Sequence, residues 1–109
     1  MNDRIRELEN MLRDDPEDQF LYYALGLEYM KVGNLSKALE RFGILLKRFP
    51  DYLPVYYQAA HLFVELKDHK AAERTFKKGI TLAREQSETK TLQELSNAYD
   101  NFLFDNDLL

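Results

Sequence analysis

The chain has no cysteine, which excludes disulfide staples, thiolate metal sites and cysteine nucleophiles together and fits a reducing compartment. It has only two histidines, His61 and His69, and no companion residues at metal-ligand spacing around them. A glycine-rich phosphate loop, a nucleophile elbow and a paired histidine–acid motif are all missing. No catalytic residue, metal site or cofactor is therefore expected, and the chain is not expected to be an enzyme. No apolar run approaches the ~20 residues of a membrane span. The opening "MNDRIRELEN" is charged without an apolar centre, so it does not read as a secretory signal. These absences predict a soluble, cytoplasmic protein with no membrane partner.

An excess of positive charge is also missing. Fifteen lysines and arginines stand against nineteen aspartates and glutamates, a formal net charge of −4. A nucleic-acid binder carries a basic face, so a nucleic-acid partner is not expected. The doublets Lys47-Arg48 and Lys77-Lys78 read as solvated helix faces. The carboxylates Asp14, Asp15, Glu17 and Asp18 cluster where a helix starts, and there they complement its dipole.

Proline and glycine are scarce, at three and four residues, and several of them punctuate. Asp15-Pro16, Phe49-Pro50 and Leu53-Pro54 mark breaks, because proline disfavours helical geometry in the residue before it and suits a first helical turn. Gly33-Asn34 and Lys67-Asp68 read as tight turns in which Asn34 and Asp68 cap the following helix; Ser87 or Thr89 is the candidate cap of the last one. No period-2 segment is convincing. What remains is helical text: six helices are predicted at about 2–14, 17–32, 35–48, 54–66, 69–84 and 88–104. Their short connections make neighbours antiparallel.

The chain also repeats itself. A step of 34 residues carries Tyr22 to Tyr56, Tyr23 to Tyr57, Tyr29 to Phe63, Ala38 to Ala72, Phe42 to Phe76 and Pro16 to Pro50. The same step carries Leu12 to Leu46 and Leu8 to Phe42. Tyr22, Leu25-Gly26, Tyr29, Ala38, Phe42 and Pro50 together make a specific pattern, and on it the sequence resembles the tetratricopeptide repeat family, small bacterial-type members included. Tyrosine replaces the usual tryptophan at position 22. The next repeat offers Tyr56, Ala59-Ala60, Phe63, Ala72 and Phe76, but has Arg84 in place of the closing proline. A step of 36 aligns Leu92, Leu95-Ser96 and Tyr99 with Tyr56, Ala59-Ala60 and Phe63, which calls for a lengthened helix or connector before the last helix.

The resemblance implies an all-α fold, an α-solenoid of antiparallel helix hairpins in a single domain over residues 1–109. Residues 2–16 form a half repeat (second helix only), 19–52 the first repeat, 53–86 the second, and 88–105 a C-terminal capping helix or partial third repeat. It also explains Gly26, which sits in the middle of a helix where glycine costs about 1 kcal/mol relative to alanine. The pattern sets Gly26 opposite Ala38 of the partner helix, so a larger residue would wedge the hairpin apart. Ala60 with Ala72 is the corresponding pair, and Ser96 continues the line.

The resemblance further implies a non-catalytic protein–protein interaction module, an adaptor or scaffold binding a peptide or protein segment in the concave groove. Candidate groove residues are Phe20, Tyr23, Leu27 and Met30 from the first lining helix. The second contributes Tyr57, Gln58, His61 and Val64, and the third Gln93, Asn97 and Asp100. Packing against neighbouring helices is the competing role for Tyr23, Tyr57, Leu27 and Met30. Some members of the family grip a C-terminal carboxylate with basic residues on these helices; Tyr23, Leu27 and Tyr57 stand where such ligands are wanted, so an acidic-tail partner is not expected. The alternative is a structural self-association unit, a homodimer formed through apolar surfaces that include the last helix's Phe102, Leu103 and Phe104. The tail "FDNDLL" reads as a frayed end or as a docking peptide ending in Leu108-Leu109.

Overall fold

Side-chain acceptors start four of the helices, since the first N–H groups of a helix have no partner within it. In the computed structural model, which describes residues 2–108, Asn2 accepts from the Ile5 N–H and opens α1 (Asp3–Asp14). Asp18 accepts from Phe20 and opens α2 (Gln19–Lys31). Asn34 and Asp68, the two caps expected from the sequence, accept from Lys37 and Ala71 and open α3 (Leu35–Arg48) and α5 (His69–Glu85). Helix α4 (Pro54–Glu65) starts instead on Pro54, whose missing N–H is no loss in a first turn. Neither expected cap serves α6 (Thr89–Asp105): its N-cap residue is Glu88, without a side-chain cap bond. Ser87 has a positive φ of 57° and belongs to the end of α5, and Thr89 is already helical.

Four of the helix ends follow one design. After α2, α4, α5 and α6 a single residue turns left-handed, namely Gly33 (φ 80°), Lys67 (63°), Ser87 (57°) and Asp107 (54°). Each is followed by an N–H that reaches back to a carbonyl five residues earlier: Asn34 to Tyr29, Asp68 to Phe63, Glu88 to Ala83 and Leu108 to Leu103, at 2.8–2.9 Å. This is the Schellman arrangement, and it satisfies otherwise orphaned carbonyls. Thus Leu108 is tied into a closed turn rather than a frayed end, while Leu109 lies outside the described residues. Helix α5 runs 17 residues against 14 for α3, so the missing proline near Arg84 is answered by a longer helix.

The six helices form an all-α stack of antiparallel hairpins, α2 on α3 and α4 on α5, with α1 packed on α2 and α6 on α5. The apolar interior falls into two regions. One, from α1 to α4, centres on Leu8, Leu25, Phe42, Leu45 and Leu62; the other, from α4 to α6, centres on Ala60, Ala72, Phe76 and Leu95. Phe63 and Leu82 pack against both and join them. Burial of such side chains contributes roughly 1.5–3 kcal/mol each.

Gly26 does lie at the hairpin contact, and its nearest neighbour is one turn further along α3 than Ala38. A Cβ there would fall 2.1–2.7 Å from the ring of Phe42. Gly79, which drew no notice in the sequence, has the same role in the next layer of the stack: its Cβ would lie 2.7 Å from Tyr56 Cβ and 3.1 Å from Leu95 Cδ1.

Two further bonds repeat at the 34-residue step. The Tyr22 hydroxyl donates to the Pro16 carbonyl at 2.7 Å, and the Tyr56 hydroxyl to the Pro50 carbonyl at 2.6 Å. Each buried tyrosine thereby fastens the turn that precedes its own helix.

Candidate partner-binding groove

Helices α2 and α4 are the first members of their hairpins, and residues of α2, α4 and α6 lie along one face. Residues related by the 34-residue step, Tyr23 with Tyr57, Leu27 with His61 and Met30 with Val64, point toward the following helix of that face. The outcome differs because the spacing differs. Helices α2 and α4 touch, so Tyr23, Leu27 and Met30 are half-buried and pack on the first core region. Helix α6 stands off from α4, and a cavity of about 530 Å³ opens between them. Tyr57, His61 and Val64 line it from α4, with Glu94, Asn97, Asn101 and Asp105 on the α6 side.

A second cavity, about 740 Å³, continues from the first around the N-terminal ends of these helices. Gln19 and Tyr23 of α2, Tyr57 and Gln58 of α4, and Thr91 and Glu94 of α6 line it, together with Asp51, Tyr52 and Glu88 from the turns. Tyr57 and Glu94 border both cavities, which makes them one groove. Its base is braced where the Gln86 side-chain amide donates to the Asp51 carbonyl at 3.0 Å, tying the end of α5 to the turn before α4.

The groove wall is aromatic. The Tyr23 ring lies 5.7 Å from Tyr52 and 6.3 Å from Phe42. Burial raises its phenol pKa, partly countered by a hydrogen bond with Gln58. Tyr52 is likewise pushed up by burial. Tyr57, 37% exposed, packs at 4.5 Å against His61 with the rings tilted by 49°, and the His61 ring makes a T-shaped contact with Phe76 at 5.8 Å. Although His61 is exposed overall, its ring lies between these two neighbours, and burial lowers its imidazole pKa and favours the neutral form.

The structure thus brings together Tyr23, Tyr57, Gln58, His61, Val64 and Asn97. Phe20, Leu27, Met30, Gln93 and Asp100 line neither cavity. Phe20 is 56% exposed on the first turn of α2, and Gln93 and Asp100 are exposed on α6. They correspond, through the step of 36, to the α4 residues that face a following helix; among the described residues no helix follows α6. The residue that faces back toward α4 is Glu94, the counterpart of Gln58. Applying the same step to Gln58 identifies it, and the stripe Glu94, Asn97, Asn101 and Asp105 then follows at helical spacing.

Away from the groove, one polar network locks three helices. Arg41 of α3 donates from Nη2 to both carboxylate oxygens of Glu9 on α1, at 2.8 and 2.9 Å, and the Tyr29 hydroxyl of α2 donates to the same carboxylate. Burial pushes Glu9 upward, but the bonds from Arg41 and Tyr29 outweigh it and hold the carboxyl below its usual range. Burial and the adjacent Glu9 push the Tyr29 phenol up to about 12. Among the described residues no group of three or more acidic or histidine side chains could hold a metal ion, and no helix is long and apolar enough to cross a membrane.

The family model described as tetratricopeptide repeat matches residues 53–86, the α4–α5 hairpin with its flanking turns. A solution structure of a tetratricopeptide repeat domain protein from Salinibacter ruber is 40% identical, with a TM-score of 0.76 over 81% of this chain and 89% of that one. A crystal structure of a tetratricopeptide repeat domain protein from the same organism is 38% identical, with a TM-score of 0.75 over 79% of this chain and 96% of that one. No curated protein matches.

Proposed function

Because the chain belongs to the tetratricopeptide repeat family, whose repeats generally mediate protein–protein interaction, we propose that it is a non-catalytic adaptor or scaffold that holds a peptide or protein segment in the groove along α2, α4 and α6. In this reading residues 19–52 and 53–86 are its two complete repeats, flanked by half repeats at 2–16 and 88–105. The observation that supports it best is the continuity of the groove. Two cavities share Tyr57 and Glu94, giving an extended channel suited to a chain segment rather than a small molecule. Tyrosine suits such a wall because it offers rigid apolar area and a hydroxyl at little entropic cost.

Tyr57 and His61 are the contacts to remove, because both are exposed and their loss leaves the core regions whole. Affinity capture from native lysate with the wild type beside Tyr57→Ala/His61→Ala tests the reading. The variant is expected to lose captured protein while its melting temperature stays near that of the wild type. Equal capture by both proteins would place any binding surface elsewhere.

A further inference from the structure

The groove has a chemical preference as well as a shape. None of the residues that line its two cavities is a lysine or an arginine, whereas four are carboxylates: Asp51, Glu88, Glu94 and Asp105. All four are exposed, and among the described residues none forms an ion pair. Some acids elsewhere are paired, Glu9 with Arg41, Glu17 with Arg48 and Glu73 with Lys77, while others such as Glu7, Glu65 and Asp100 form no ion pair among the described residues; what sets the groove apart is that carboxylates line it and no lysine or arginine does.

The cause lies in how charge is divided between the two members of each hairpin. Helix α4 carries no lysine or arginine, α2 only Lys31 in its last turn and α6 only Lys90 in its first. The partner helices α3 and α5 carry four and five. A net charge of −4 therefore understates the contrast, since cations collect on one side of the stack and unpaired carboxylates face the groove on the other. A concave surface lined by one sign of charge focuses its field and attracts the opposite charge.

We propose that the groove takes an extended peptide segment rich in lysine or arginine with interspersed apolar or aromatic residues. This rests on the reading of the groove as the binding surface and names the chemistry of its partner. Cationic side chains meet Glu94 and Asp105 along α6 and Asp51 and Glu88 at the turns, while apolar ones lie on Tyr57, His61 and Val64. Tyr57 also offers a ring face to an arginine or lysine, a favourable cation–π contact. An acidic segment would bring like charges together in the same space, and electrostatic complementarity discriminates against such partners.

The test is selection of a random twelve-residue peptide library displayed on phage against the folded chain, followed by fluorescence anisotropy with the most enriched peptide. The enriched sequences are expected to be net positive. Their affinity is expected to fall about tenfold or more in Glu94→Lys/Asp105→Lys, and to weaken as salt rises from about 50 mM to about 500 mM. Both positions are exposed, so a thermal melt should show the variant folded. Enrichment of acidic or uncharged peptides, or unchanged affinity in the lysine variant, overturns the charge assignment. If Tyr57→Ala still abolishes binding in that case, the groove reading survives without it. Enriched peptides indifferent to both variants, or no enrichment at all, overturn both. Salt-sensitive self-association that Lys77→Glu/Lys78→Glu abolishes would assign the groove to the basic face of a second copy and overturn a separate peptide partner.

Discussion

Gly26 and Gly79 show how a residue unfavourable to a helix is held there by its neighbour. Alanine gains about 1 kcal/mol of helix propensity over glycine, yet its Cβ at position 26 would sit inside the ring of the fully buried Phe42, and at position 79 against the Cβ of Tyr56. Neither neighbour can swing aside. Gly26→Ala and Gly79→Ala are each expected to destabilise by roughly 1–3 kcal/mol, and Gly26→Leu by at least as much, as read from denaturant midpoints. Tyr56→Phe removes only a hydroxyl, and should cost about 1 kcal/mol by freeing the Pro50 carbonyl. Glu9 gives a dependence on pH. Its folded pKa lies below the ordinary value of 4.5, so its contribution is complete above that value and is lost as pH falls through the lower folded one. Glu9→Gln is expected to lower stability at neutral pH and to flatten the acid limb of a stability–pH profile; an unchanged acid limb would show that the Arg41 network does not govern it.

At the level of elements, caps decide the boundaries more than propensity does. Asn34 and Asp68 are legible as caps because a short polar side chain before apolar helical spacing has one local use. The cap of α6 is not, since Ser87 is consumed by the left-handed turn that closes α5. Two changes follow from these ends. Lys67 and Ser87 occupy a conformation that costs a side-chain-bearing residue about 1–2 kcal/mol, so Lys67→Gly and Ser87→Gly are expected to raise stability, by less than that because glycine also gains entropy when unfolded. Glu88→Ser supplies α6 with the cap it lacks and should add about 1 kcal/mol. Thermal melts of the three single variants would check both expectations, and a drop for either glycine variant would count against the account of the turns.

For the whole molecule, the two core regions are not independent. Phe63 and Leu82 belong to both, so the stack is expected to unfold as one unit, with circular dichroism and tyrosine fluorescence giving coincident transitions. Separate transitions would mean that the hairpins act alone, as in a longer array whose repeats couple only to neighbours. The exposed apolar side chains Met11, Phe20, Val32, Leu66 and Phe104 are spread over α1, α2, α6 and two turns. Sedimentation of the purified chain at high concentration and moderate salt is accordingly expected to report a monomer.

The family, the number of helices and most of their boundaries stand in the sequence, because burial of one face at helical spacing and a step of 34 residues leave little freedom in how hairpins stack. Tyr57, His61, Val64 and Asn97 are legible for the same reason, as positions that repeat geometry turns toward the groove. What only the tertiary structure decided is where the groove opens. The equivalent residues Leu27 and His61 diverge: Leu27 is half-buried between touching helices and His61 is exposed beside a gap, because α2 rests on α4 while α6 stands away from it. The neighbour of Gly26 and the role of Gly79 belong to the same category. Sequence spacing fixes which face of a helix is presented, but the distance to the next helix is set by the side chains packed between them, and those meet only in the folded stack.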